Sequence, residues 1–226
     1  MMKNLNDKKI SLIIEWANRQ KVLEKELNYN NDLFWRYKEM FSGNISLPST
    51  TISPVMERLL FTISSEINIQ NIVVLGSYYG YAQLFLALGL VGKKENTIVG
   101  YDLNKEACKQ AELNMRTLSN DVKGNIYCMN AFEAHANHDK NSIDLLFLDV
   151  EINNSKSDYY KLLDLWLPKL KDNSLVLAHD SVVEKYKSDF NIYKYYLNKC
   201  ADIKKSIDFP IDNCGLLVSR VNKESG

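Results

Sequence analysis

The chain has 226 residues, a length that suits one domain with a small appendage, and its 46% hydrophobic content supplies a substantial core. Its 28 basic and 28 acidic residues cancel, so composition writes no basic field for nucleic acid or for an anionic membrane. No apolar run approaches the roughly 18 residues a membrane span needs, the N-terminus lacks the apolar core of a signal peptide, and Cys108, Cys128, Cys200 and Cys214 form no Cys-x-x-Cys pair; a cytoplasmic chain with reduced thiols is expected.

In chain order, Ile10 to Leu27 places Ile10, Ile13, Ile14, Ala17, Val22 and Leu23 at roughly helical spacing. Asp32 to Phe41 is aromatic, and Ser53-Pro54 reads as a helix start, which predicts a helix over Pro54–Glu66. From Ile69 onward strands and helices alternate. Strands are expected at Ile72–Leu75, Ile98–Tyr101, Asn125–Met129, Ile143–Asp149 and Ser174–Ala178. Helices are expected at Tyr81–Leu90, Lys105–Leu118, Phe132–His135, Asp158–Leu170 and Tyr186–Cys200. Ile203–Asp208 and Gly215–Arg220 are close enough to pair antiparallel. This alternation predicts an α/β fold with helices on both faces of a mostly parallel, doubly wound, seven-stranded sheet. Residues 1–53 are expected to form a helical extension whose Trp16, Phe34, Trp35, Tyr37 and Phe41 build a lid, a dimer contact or simply core, and residues 54–226 the main domain.

Ligands of such sheets sit beyond the carboxyl ends of the strands. The first strand runs into Gly76-Ser77-Tyr78-Tyr79-Gly80, and the second ends at Asp102, before Leu103. The Gly-x-x-x-Gly spacing with two bulky tyrosines departs from the Gly-x-Gly-x-x-Gly that cradles a pyrophosphate, and it fits a nucleoside ligand without phosphates, such as S-adenosylmethionine (SAM). It also argues against a nicotinamide dehydrogenase. Asp102 can accept both ribose hydroxyls; alternatively Asp102 or Asn104 caps the following helix. Asn130-Ala131-Phe132 after the third strand can meet and stack on an adenine, or form an ordinary loop. Asp149, His179 and Asp180 end two hydrophobic strands, with Glu151 nearby, and can bind a divalent cation or deprotonate a hydroxyl. His135 and His138 lie in a polar stretch and are expected to be exposed.

With these residues in place, the chain resembles the class I SAM-dependent methyltransferases, closest to their small-molecule O-methyltransferases. The resemblance runs from about Pro54 to Arg220 and is carried by Ile143–Asp149, Leu165–Leu170, Val176–Asp180 and Phe209–Leu216. It implies a Rossmann-like fold, with Gly76, Ser77, Tyr78 and Gly80 along the methionine part of SAM. It implies Asp102, followed by Leu103, at the ribose, Asn130, Ala131 and Phe132 at the adenine, and Asp149 near the sulfonium and the acceptor. In metal-dependent members the positions of Asp149, His179 and Asp180 hold Mg2+ or Ca2+. Departures are Val74 in place of an acid, Ala82 in place of a small hydroxyl, Asn173-Ser174 in place of a glycine pair, and Ile152 where a lysine or histidine base is usual. His179 is the replacement base. The expected activity is methylation of a hydroxyl on a small or carrier-bound acceptor, with a homodimer by resemblance. N-methylation, or SAM binding without catalysis as a partner protein, are the competing readings.

Overall fold

The computed structural model describes residues 2–23, 25–41, 45–48, 51–66, 69–118, 122–209 and 211–223. Helices α1 (Met2–Gln20), α2 (Asn31–Phe41) and α3 (Pro54–Glu66) precede strand β1 (Asn71–Leu75). Then come α4 (Tyr81–Leu88), β2 (Thr97–Asp102), α5 (Lys105–Met115), β3 (Lys123–Cys128), α6 (Ala131–Ala134), β4 (Ile143–Leu148) and α7 (Tyr159–Trp166). The chain closes with β5 (Leu170–His179), α8 (Lys187–Lys199), β6 (Ile203–Phe209) and β7 (Leu216–Val221). The strands form one sheet in the order β3-β2-β1-β4-β5-β7-β6. β1 to β5 run parallel to one another, while β7 is antiparallel to both β5 and β6. The strand order reverses direction between β1 and β4, and that switch point opens a crevice at the strands' carboxyl ends. Among the described residues no helix is long and apolar enough to cross a membrane.

The central strands are buried on both faces, as their unbroken Val-Val-Leu and Leu-Leu-Phe-Leu runs require. On one face α1, α2, α3 and α4 share a single apolar cluster. Phe34 is fully buried there, with Phe61 at 5.5 Å and Phe85 at 6.0 Å between ring centroids. Buried Arg58 ties α1 to α3: its Nε donates to Asp7 at 2.6 Å and its guanidinium lies over Phe34 and Trp35. The residue 1–53 segment therefore shares its core with the rest of the chain. Trp16 lies edge-on to Phe209, and Trp35 and Tyr37 pack on the same cluster. Trp16, Phe34, Trp35 and Tyr37 pack in the core and do not line the crevice, which favours the core reading over the lid for them; the Phe41 side chain lies outside the described residues.

Several element ends differ from the expected ones for local reasons. α1 starts at Met2, ahead of the apolar repeat, and Asp7 on its polar first half pairs with Arg58. α7 gives way to a 3-10 turn at Leu167-Pro168-Lys169, because proline cannot extend a helix that already needs its N–H. β5 begins at Leu170, earlier than expected; Asn173 adopts φ 61 and its side chain accepts from Arg220 Nε at 3.1 Å. A backbone turn that a glycine pair would make freely is here held by an asparagine.

Candidate active site

The crevice is a cavity of about 660 Å3, within the range of small-molecule sites. Gly76 and Ser77 donate their backbone N–H groups to Tyr101 O at 2.9 and 3.0 Å, which folds the turn over the end of β2. Gly76 sits at φ +82, and a Cβ there would stand 2.3 Å from the Asp149 carbonyl oxygen. Its glycine is required because β1 and β4 exit side by side. Gly80 also has positive φ, but it packs against Ala111 of α5 and does not line the cavity. Its role is to close α4 onto α5, in contrast to the ligand contact implied by resemblance. Val74, where an acid was expected by resemblance, is buried in the sheet core.

Asp102 lines the cavity with its carboxylate already oriented. Oδ2 accepts the Tyr78 N–H at 2.8 Å and Oδ1 accepts the Asn104 N–H at 2.9 Å. Each oxygen keeps a second lone pair for a ligand. The helix cap is Asn104, which accepts from the N–H groups of Glu106 and Ala107, so Asp102 is free of that duty. Leu103, exposed, forms the rim beside it. Asn130 caps α6 by accepting the Phe132 N–H at 3.0 Å, which occupies the carbonyl end of its side chain and leaves the amide end. Asn130, Ala131 and Phe132 all line the cavity. Buried Ser77 also lines it, and its Oγ has no hydrogen-bond partner.

Across the cavity, Asp149, His179 and Asp180 come together, with a fourth group that the sequence reading missed. Lys156, 3% exposed, places Nζ 2.7 Å from Asp149 Oδ1 and 2.9 Å from Asp180 Oδ2, and donates to Tyr159 Oη at 2.9 Å. His179 Nδ1 lies 3.3 Å from the other oxygen of each carboxylate, Asp149 Oδ2 and Asp180 Oδ1. Two acids and two bases thus alternate around a ring. Neither His179 ring nitrogen has hydrogen-bond geometry to a partner, although the ring is 7% exposed and lines the cavity. Asp180 holds φ +68, a strained value for a side chain of its size.

The charges reinforce one another. Burial alone would lower the His179 pKa, but Asp149 and Asp180 outweigh it and push it up to about 10. Burial alone would raise the Asp149 carboxyl; Lys156 and His179 outweigh it and hold it well below the usual carboxylate range. Burial would likewise neutralise Lys156, and Asp149 with Asp180 keep it charged. The expectation of His179 as a free base therefore meets a ring that carries its proton at neutral pH.

Lys156 reaches this ring through a turn. Ile152 and Ser155 exchange backbone hydrogen bonds at 2.9 and 3.0 Å, with Asn153 and Asn154 both at positive φ. That two-residue reversal suits an Asn-Asn pair. Asp189 of α8 anchors its exit, accepting from Ser155 Oγ and Lys156 N. The basic residue missing at Ile152 is thus delivered from Lys156. Glu151 lines the cavity but is engaged outward by the Tyr186 hydroxyl and Lys185. His135 and His138 are half-buried against Trp166, and His138 Nε2 lies 2.9 Å from Tyr101 Oη, which corrects their expected exposure.

The rim is held by buried Asn114. It donates to Tyr79 O at 2.9 Å and to Ser46 O at 3.0 Å, and accepts from Ser46 N at 3.2 Å, joining α5 to the glycine turn and to the segment that brings Pro48 to the cavity. Asn114→Ala is expected to lower the free energy of unfolding by about 1–3 kcal/mol, since it removes three hydrogen bonds between a buried side chain and the backbone of Ser46 and Tyr79; urea denaturation measures this.

Residues 73–181 match a family model described as a methyltransferase domain. No curated protein sequence matches the chain. Among solved structures it is similar to an O-methyltransferase from Bacillus cereus in complex with SAH (16% identity, 93% of this chain and 100% of that one, TM-score 0.65). It is also similar to the O-methyltransferase TomG from Streptomyces achromogenes, involved in tomaymycin synthesis and in complex with SAM (14% identity, 87% and 92%, TM-score 0.65). A third is an SAH-bound methyltransferase from Podospora anserina (16% identity, 92% and 96%, TM-score 0.63). Residues 73–181 thus match a methyltransferase domain, and the chain shares the fold of these solved structures.

Proposed function

We propose that the protein is a SAM-dependent O-methyltransferase acting on a small-molecule or carrier-bound acceptor. One observation carries the reading: the carboxylate of Asp102, with a lone pair left on each oxygen, lines one side of the cavity beside the Gly76–Tyr79 turn, and Asp149, His179 and Asp180 line the other. The donor set fits SAM, with Asp102 for ribose hydroxyls, Phe132 and Asn130 for the base, and the Gly76–Tyr79 turn for the amino-acid end. The O-methyltransferases it is similar to, holding SAM or SAH, support the choice.

When bound, SAM supplies a methyl group on a sulfonium and leaves as a thioether once the acceptor oxygen has taken the methyl. The protein's residues prepare that oxygen. His179, protonated and lining the cavity, favours its ionised form through its charge, while Lys156 keeps both flanking carboxylates neutralised. An acidic hydroxyl, such as a phenol, an enol or a carboxylic acid, suits this arrangement. Tyr78, Tyr79, Tyr81 and Ile152 give the cavity apolar walls that suit a ring-bearing acceptor.

The test is transfer of an isotopically labelled methyl from SAM to a panel of phenols, carboxylic acids and amines, with the product resolved by NMR. Label on oxygen is expected; label only on amine nitrogen would replace the reading with N-methylation.

A further inference from the structure

The resemblance implies a divalent cation held by Asp149, His179 and Asp180, and the residues present do not fit one. All four carboxylate oxygens of the two acids face basic side chains. Lys156 Nζ takes Asp149 Oδ1 and Asp180 Oδ2 at 2.7 and 2.9 Å, and His179 Nδ1 faces Asp149 Oδ2 and Asp180 Oδ1 at 3.3 Å. Lys156 donates hydrogen bonds to Asp149 Oδ1 and Tyr159 Oη and forms an ion pair with Asp180. Tyr159 is itself held, donating to Leu148 O at 3.2 Å. A hard cation needs several oxygens at about 2.0–2.6 Å. Here it would have to displace a buried ammonium that the Ile152–Ser155 turn and Asp189 fix in place.

A second group of ligating type, His179, Asp180 and Cys214, has its ligand atoms within 4.8 Å of one another. It shares two members with the ring, and one oxygen of Asp180 is already held by Lys156.

We propose that Lys156 is a built-in replacement for the divalent cation, so that methyl transfer here is independent of metal. The inference builds on the methyltransferase reading. The ammonium draws Asp149 and Asp180 together, as a bridging ion would, and it cannot be stripped by a chelator. It also changes what the acceptor must be. A chelated ion selects acceptors with two adjacent oxygens, whereas a site without an ion requires only one. Lys156 is a positioning residue: it acts through the two acids and His179.

The test uses the full chain and Mn2+ as the probe, followed by electron paramagnetic resonance, with Zn2+ in parallel by calorimetry. The unaltered protein is expected to bind neither at the site in the millimolar range, and to bind S-adenosylhomocysteine equally tightly in EDTA and in Mg2+. Lys156→Ala, which frees two carboxylates, is expected to gain an Mn2+ site at least about tenfold tighter than any in the unaltered protein, and Asp149→Asn in that background should remove it. Lys156→Met, of closer volume, serves if the alanine variant does not fold, with circular dichroism as the check. Mn2+ bound by the unaltered protein and lost in Asp149→Asn would overturn the proposal. So would Zn2+ bound by the unaltered protein and lost in Cys214→Ser, or folded Lys156 variants that gain no site. The arms separate the two readings: Mn2+ binding judges Lys156, and S-adenosylhomocysteine binding judges the methyltransferase reading.

Discussion

Gly76→Ala is expected to destabilise the protein by about 3–5 kcal/mol, a large share of the roughly 5–15 kcal/mol that holds a domain together. Two independent effects add. The position has φ +82, where an L side chain costs about 1–2 kcal/mol. The new Cβ would also stand 2.3 Å from Asp149 O and 2.6 Å from Asp149 C, backbone atoms that cannot rotate away. Asp149 N is bonded to Leu75 O at 2.8 Å, so relief means separating β1 from β4 at the mouth of the site. Urea denaturation would show the midpoint collapse. A variant as stable as the parent would mean that the two strand exits do not approach as closely as described.

Asp102→Ala is expected to leave the fold largely intact and to weaken cofactor binding about 100-fold. The carboxylate accepts two backbone N–H groups from the exposed loops at Tyr78 and Asn104, and its free lone pairs face the cavity. Two hydrogen bonds from ribose hydroxyls to a charged acceptor, at about 1.5 kcal/mol each, amount to about 3 kcal/mol. Asp102→Asn separates charge from shape: it should keep the turn and bind between the two. The measurement is the dissociation constant of S-adenosylhomocysteine for each variant, beside its melting temperature. Unchanged affinity in a folded alanine variant would remove the ribose from this carboxylate.

What could be read from the sequence follows from where each signal lies. Strand ends are local: a run of buried aliphatics closed by Asp102, by Asp149 or by His179-Asp180 puts those groups at one edge of a parallel sheet, and the structure brings them to one cavity. Lys156 was invisible for the opposite reason. It lies seven residues beyond Asp149, and only the reversal at Asn153-Asn154 returns it to the strand end. The Asn-Asn pair was the available signal. The N-terminal aromatics failed in a third way. Phe34 and Trp35 follow a pattern that serves a core wall and a lid equally, and packing against Arg58, Phe61 and Phe85 decided between them. Gly80 reads as part of a ligand turn, yet its neighbour is Ala111, a contact between α4 and α5 that no local pattern encodes.

The central claim is that this crevice grips an adenosyl sulfonium compound. Calorimetric titration of SAM, and in parallel NAD, into the unaltered protein tests it most directly. Saturable one-site heat with SAM and none with NAD is the predicted result; no heat with SAM, at protein concentrations that would reveal a micromolar site, would contradict it.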